Sequence, residues 1–159
     1  MSTQKSIDAG DLLALENQVC FALAVASRRV IGLYRPLLEP MGLTHPQYLV
    51  MLALWQDGPL TVRELATKLS LESATLSPLL KRLETIGYLT RSRGVHDERS
   101  LQIALTPKGR ALRKQALKIP PTMMDKLGMD VAELKEFHAR LTGVIDRATA
   151  EERAPTTAR

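Results

Sequence analysis

Residues 61–106 read TVRELATKLSLESATLSPLLKRLETIGYLTRSRGVHDERSLQIALT, and their punctuation decides the fold. Thr61, followed three residues later by Glu64, is a capping box that opens a short helix, VRELATKL. Ser70-Leu71-Glu72 makes a brief turn, and ATLSPLLKRLETI carries a second helix that Gly87 ends. Two helices joined by so short a turn read as a helix-turn-helix. Beyond it the hydrophobic period changes. YLTRS reads as a strand, and LQIALT places Leu101, Ile103 and Leu105 on one face, the alternation of a half-buried strand. RGVHDERS between them is a polar loop. Helix, helix, hairpin is the order of a winged helix-turn-helix.

Working outward, Asp11 to about Met41 carries Leu15, Val19, Leu23, Leu33, Leu37 and Met41 at helical spacing. The pattern predicts one long helix, kinked or restarted at Pro36 and ended by Gly42. Thr44 and Gln47 form another capping box before PQYLVMLALWQ, a helix apolar nearly all round and therefore predicted buried; Asp57-Gly58-Pro59 stops it. Downstream, Thr106-Pro107 opens a helix running through RALRKQALKI to Pro120-Pro121. Asp130 and Glu133 make a third box, and a last helix runs to about Ala150, with EERAPTTAR expected to fray. The fold class is mainly α with a small β-hairpin wing. Residues 1–159 form one chain with a winged helix-turn-helix lobe at 44–113, flanked by helical regions at 11–43 and 114–150. The terminal helices would leave apolar stripes uncovered in a monomer, so pairing with a second copy is expected.

A chain of 159 residues is one domain by length, and its 45% hydrophobic and 25% charged residues are ordinary for a globular protein. With six aromatics, the core must be mostly aliphatic. No apolar run approaches the roughly 18 residues that span a bilayer. MSTQKSIDAGD lacks an apolar signal core, so a cytoplasmic location without membrane contact is expected. One cysteine excludes an intramolecular disulfide and a cysteine-based zinc cluster. His45, His96 and His138 are isolated, and no glycine-rich phosphate loop occurs, so neither metal nor cofactor is expected. A peroxidase would use a thioredoxin-like βαβ pattern, which is absent; an enzyme is not expected. The net charge of +5 suits a polyanion.

In a helix-turn-helix the second helix enters the major groove of duplex DNA, N-terminal residues leading. Here those are Ser73, Thr75 and Ser77, with hydroxyls that reach phosphates or base edges, then Lys81 and Arg82. The wing adds Arg91, Arg93 and Arg99, with Asp97 positioned to hold Arg99 extended so that its guanidinium enters a narrow minor groove. An isolated Lys81 or Arg82 also reads as a solvated helix face.

From Leu43 to Thr106 the sequence resembles the MarR family of bacterial transcription regulators, above all at Asp97-x-Arg99-Ser100 in the wing and Leu105-Thr106-x-x-Gly109 after it. The resemblance implies a homodimer whose outer helices interlock around a two-fold axis, and a pseudo-palindromic double-stranded operator with Arg99 in the minor groove. LENQVCFALAVASRR (15–29), Tyr34, Pro36-Leu37-Leu38 and THPQYL (44–49) are similar to the one-cysteine, organic-hydroperoxide-sensing (OhrR-like) branch. That likeness implies a repressor whose sensor is Cys20, with Tyr34 as hydrogen-bond partner and an organic hydroperoxide as inducer. The branch carries a second tyrosine where this sequence has His45; an imidazole can also donate to a thiolate, and as imidazolium would favour it further.

The residues alone leave Cys20 open. Free cysteine is usually a buried small hydrophobe, no basic residue stands one turn away, and a helix starting near Asp11 puts Cys20 far from its N-terminus. Cys20 and Tyr34 are 14 residues apart, roughly 21 Å on one helix, so any contact must come from another subunit. Without a second cysteine, a sulfenic acid must persist, condense with a low-molecular-weight thiol or a backbone nitrogen, or oxidise further. The rival expectation is a regulator of the same family that binds a small aromatic ligand in the dimer-domain cleft, lined by Met123, Met124 and Met129, with Cys20 as packing.

Overall fold

The computed structural model describes residues 9–93 and 100–154, in two compact units divided between Leu117 and Lys118. The first unit begins with a short helix α1 (Ala9–Leu13) and a 3-10 turn, Leu15–Asn17. Helix α2 (Val19–Leu38) follows, then a second 3-10 turn, Glu39–Met41. The single long helix expected from Asp11 is therefore broken. The Asn17 and Gln18 side chains explain the break: Asn17 Nδ2 donates to the Asp11 carbonyl at 2.6 Å and Gln18 Nε2 to the Leu12 carbonyl at 2.5 Å. Such bonds compete with the helical ladder for its acceptors. Pro36 does not break α2, because it lies in the last turn, which continues to Leu38.

The reader lobe follows the expected order. Helix α3 (His45–Asp57) is central, burying Tyr48, Val50, Met51, Ala53 and Leu54. The Gln47 side chain accepts from the Thr44 N–H at 2.9 Å, which satisfies a buried amide. A two-residue strand β1 (Leu60–Thr61) leads into α4 (Val62–Leu69). Both halves of the Thr61/Glu64 box form, at 2.7 and 3.1 Å. Helix α5 (Ser73–Ile86) buries Leu76, Leu80 and Leu83. Strands β2 (Leu89–Arg93) and β3 (Leu101–Leu105) pair antiparallel from Leu89↔Leu105 to Arg93↔Leu101. Strand β1 joins the far edge of β3, giving the order β1-β3-β2; two residues were too few to show as a period in the sequence.

Helix α6 (Pro107–Ala116) closes this unit. In the second unit α7 (Ile119–Leu127) and α8 (Val131–Arg153) are separate helices. Pro120 and Pro121 sit in the first turn of α7, where a missing N–H costs nothing, so they open a helix instead of closing one. The Asp130/Glu133 box forms at 2.9 Å in both directions. No described helix is long and apolar enough to cross a membrane.

Wing and α6 meet in a close junction. Thr106 Oγ1 donates to the Gly87 carbonyl at 2.6 Å and accepts from the Gly109 N–H at 3.0 Å, while the Thr106 N–H donates to the Tyr88 carbonyl. Trp55 Nε1 donates to the Gly109 carbonyl at 2.9 Å. A Cβ on Gly109 would lie 2.0 Å from the Tyr88 carbonyl oxygen, which is backbone and cannot swing aside. Gly109→Ala is therefore expected to destabilise the protein by on the order of 3 kcal/mol. The check is urea unfolding: an unchanged midpoint would mean that α6 and the wing separate freely.

Candidate nucleic-acid interface and thiol site

Helix α5 turns its predicted contact residues outward: Ser73, Thr75, Ser77, Lys81 and Arg82 are all exposed. Their spacing divides them. Ser73, Ser77 and Lys81 follow each other at i, i+4, i+8 on one flank, while Thr75 and Arg82 share the other. Between the flanks stand Ala74 and Pro78, exposed residues that the sequence reading passed over. Small apolar groups in mid-face suit contact with a thymine methyl and let the helix approach closely. Lys81 and Arg82 form no ion pair among the described residues.

The turn before α5 depends on Ser70, whose φ of 52° is the one left-handed non-glycine conformation among the described residues. Its N–H and that of Leu71 close the end of α4 on the Thr67 and Ala66 carbonyls. That sharp reversal sets α5 against α4.

In the wing, Arg91 is committed elsewhere than expected. Its Nε lies 2.8 Å and its terminal nitrogen 2.6 Å from one Glu84 carboxylate oxygen, so it fastens β2 to α5. The Arg91 guanidinium holds the Glu84 carboxyl below its ordinary range. Arg93, two residues on, is exposed and unpaired among the described residues. Asp97 and Arg99, with His96, lie outside the described residues.

Cys20 is exposed, at the second position of α2, because that helix restarts at Val19. This corrects the expectation of a cysteine far from a helix start. The first turn of a helix presents N–H groups without intrahelical acceptors and the positive end of its dipole, a setting that favours anions. Exposed Val19, Phe21 and Leu23 surround it in sequence, and Leu12, Leu13 and Leu15 precede it.

Tyr34 and His45, proposed as partners of the thiol, meet each other within one chain: their ring centroids are 4.9 Å apart at 63°, an edge-on contact. Tyr48, absent from the sequence reading, completes the cluster at 5.9 Å from Tyr34 and 6.5 Å from His45. The i, i+3 spacing of His45 and Tyr48 on α3 was the available signal. Burial raises both tyrosine phenols, with the Tyr34 charge adding to Tyr48, so both stay protonated donors near neutrality. Burial lowers His45 from its ordinary 6.5, so the neutral imidazole is favoured over the imidazolium weighed above. Among the described residues no acidic, cysteine and histidine cluster could hold a metal. Met123 is buried in the second unit, and Met124 and Met129 line a shallow hollow there with Gly128 and Val131.

The His45 shift has a sign. Below 6.5 the unfolded chain takes up a proton that the folded His45 resists until a lower pH, so stability falls as pH drops through that window. Between about pH 7.5 and 5.5 the urea midpoint of the wild type should fall more than that of His45→Gln. Parallel profiles would show that His45 is no more buried than an ordinary surface histidine.

Comparison with known proteins identifies the family. A MarR family model matches residues 43–101. The organic hydroperoxide resistance transcriptional regulator of Bacillus subtilis is 40% identical over 86% of this chain and 92% of its own length. The crystal structure of AbfR of Staphylococcus epidermidis superposes with a TM-score of 0.74 at 33% identity, over 86% of this chain and 94% of that one. AbfR bound to DNA in its overoxidised form gives a TM-score of 0.70 at 33% identity, over 84% and 94%. With that family's reader order in α4, α5 and the wing, and relatives matching over most of its length, the chain belongs to the MarR family of DNA-binding transcription regulators.

Proposed function

We propose that this regulator is a homodimeric repressor that leaves a pseudo-palindromic operator when an organic hydroperoxide oxidises Cys20. The observation that carries the reading is the division of labour along α2. Cys20 stands exposed at one end, and Tyr34, beside His45 and Tyr48, stands near the other. The helix is continuous between them, so roughly 21 Å separates them within a chain. A second copy running antiparallel brings Tyr34 to Cys20 of the partner subunit. The exposed apolar residues at 12–31, and Phe137, Val144 and Ile145 on α8, supply the surface for such a pairing. Residues 11–43 and 114–150 then form the dimerisation region, and 44–113 the reader.

The chemistry balances with one peroxide. The thiolate attacks the distal peroxide oxygen; an S–O bond forms, the O–O bond breaks, and sulfur loses two electrons. The departing alkoxide takes a proton from the Tyr34 hydroxyl, which water restores. The sulfenic acid then meets a low-molecular-weight thiol and forms a mixed disulfide with loss of water. An overoxidised AbfR is described on DNA, and another AbfR structure is described as disulfide-formed. We accordingly assign release to the bulk of the mixed disulfide, which pushes the interface apart and spoils the half-site spacing.

On DNA, the stripes of α5 read the major groove, Arg93 meets phosphate and Arg99, braced by Asp97, enters the minor groove; Arg91 positions the wing through Glu84. A gel shift with cumene hydroperoxide, with and without free cysteine, compares wild type and Cys20→Ser. Peroxide with thiol should release the wild type and leave Cys20→Ser bound; equal behaviour of the two proteins removes Cys20 from the mechanism. Arg99→Ala should weaken operator binding by roughly 1–3 kcal/mol, about ten- to hundredfold. Unchanged affinity would take the wing tip out of the interface.

A further inference from the structure

A hollow of about 370 Å³ lies in the reader lobe where α3, β3 and α6 meet. Trp55, Pro59, Ala104 and Leu105 give it an apolar floor, and the exposed Arg110 and Arg113 stand beside it, three residues apart on α6. A terminal nitrogen of Arg110 donates to the Leu105 carbonyl at 2.8 Å, which fixes it at the rim. Neither guanidinium has an ion-pair partner among the described residues. Among those residues no carboxylate lines the hollow, and the sequence holds no acidic residue between Glu98 and Asp125. Asp57, two residues before Pro59, is taken by Lys68 at 2.6 Å. The floor also includes a short length of strand edge. The pairing of β1 with β3 ends at Leu60↔Ile103, and Pro59, next in line, has no N–H to extend it. Ala104 and Leu105 are thus without a β1 partner.

The hollow stands apart from the residues that read DNA. Leu105 pairs with Leu89 at the base of the wing, and Lys108, at the start of α6, donates to the carbonyl of Ile86, the last residue of α5. That end of α5 is roughly 20 Å along the helix from Ser73.

We propose that this hollow docks an acidic segment of a partner protein. The segment lies extended beside Ala104 and Leu105, seats an apolar side chain on Trp55 and Pro59, and sets its carboxylates on Arg110 and Arg113. Charge of one sign, with no carboxylate to offset it, selects an acidic partner and repels a basic one. Guanidinium–carboxylate pairs are directional, so they fix the register of the segment as well as attract it. Duplex DNA would meet the arginines with phosphates and leave the apolar floor uncovered. A small anion would leave the strand edge unused, whereas an extended chain adds to such an edge through its main chain and places side chains in the adjoining hollow.

Trp55 is the chain's single tryptophan, so its emission reports occupancy of the hollow in the full-length protein. The probe is a blocked peptide, Glu-Asp-Phe-Leu-Glu-Asp. One control, Glu-Asp-Ser-Gly-Glu-Asp, keeps the charge and lacks the anchor; the other, Lys-Arg-Phe-Leu-Lys-Arg, reverses the charge. The probe should shift the emission saturably and bind about tenfold or more tightly than either control, and added salt should weaken it. Arg113→Gln gives up no described hydrogen bond, so its urea midpoint should stay that of the wild type. It should weaken the probe roughly three- to fivefold, as the loss of one exposed ion pair does. Operator binding by this variant should match the wild type in a gel shift. No saturable shift with the probe, or equal binding of all three peptides, overturns the proposal. A shift by benzoate as strong as that by the probe at equal concentration overturns it in favour of a small-anion site. Weakened operator binding by Arg113→Gln overturns it in favour of a contact with the duplex.

Discussion

The reader lobe depends on one close approach, that of α6 to the backbone of Tyr88 across Gly109. The chain reverses at Gly87, whose φ of 91° ends α5, and leaves Tyr88 with its carbonyl turned toward Thr106. Thr106 then serves three neighbours with one backbone N–H and one hydroxyl. Trp55 reaches from α3 to the Gly109 carbonyl, so the central helix, the strand ends and α6 converge on a few atoms. The Leu105-Thr106-x-x-Gly109 motif is thus a packing requirement. A hydroxyl caps the helix and ties down the turn, and the absence of a Cβ three residues later permits the approach.

Much of the reader was legible because its signals are local. The capping box at Thr61/Glu64 fixes a helix start within a single turn, as Asp130/Glu133 does in the second unit, and the alternation of Leu101, Ile103 and Leu105 fixes a strand. What escaped was non-local or competitive. The break before Val19 comes from two side chains, Asn17 and Gln18, that take up carbonyls six residues back, inside a segment whose apolar spacing stays helical throughout. Strand β1 exists only because β3 offers it an edge. Arg91 looks like a free cation in sequence, and its carboxylate lies seven residues away on another element.

The thiol region shows the same division. That Cys20 and Tyr34 are remote within one chain follows from helix rise alone, and α2 is unbroken between them. That Cys20 opens a helix does not follow, since it requires the break. The proximity of His45 and Tyr48 to Tyr34 is tertiary, made by packing α3 on α2. Burial then leaves these rings as neutral donors.

The buried hydrogen bond from the Tyr88 hydroxyl to the Met41 carbonyl, at 2.6 Å, gives this arrangement a mechanical character. Met41 lies just past the end of α2, and Tyr88 lies at the hinge between α5 and the wing. Stretching that bond would strand two buried polar groups, a loss of about 1–3 kcal/mol. The bond therefore resists separation of the end of α2 from the start of the wing. One buried contact thus joins the 3-10 turn after α2 to the turn between α5 and the wing, two segments 47 residues apart in sequence.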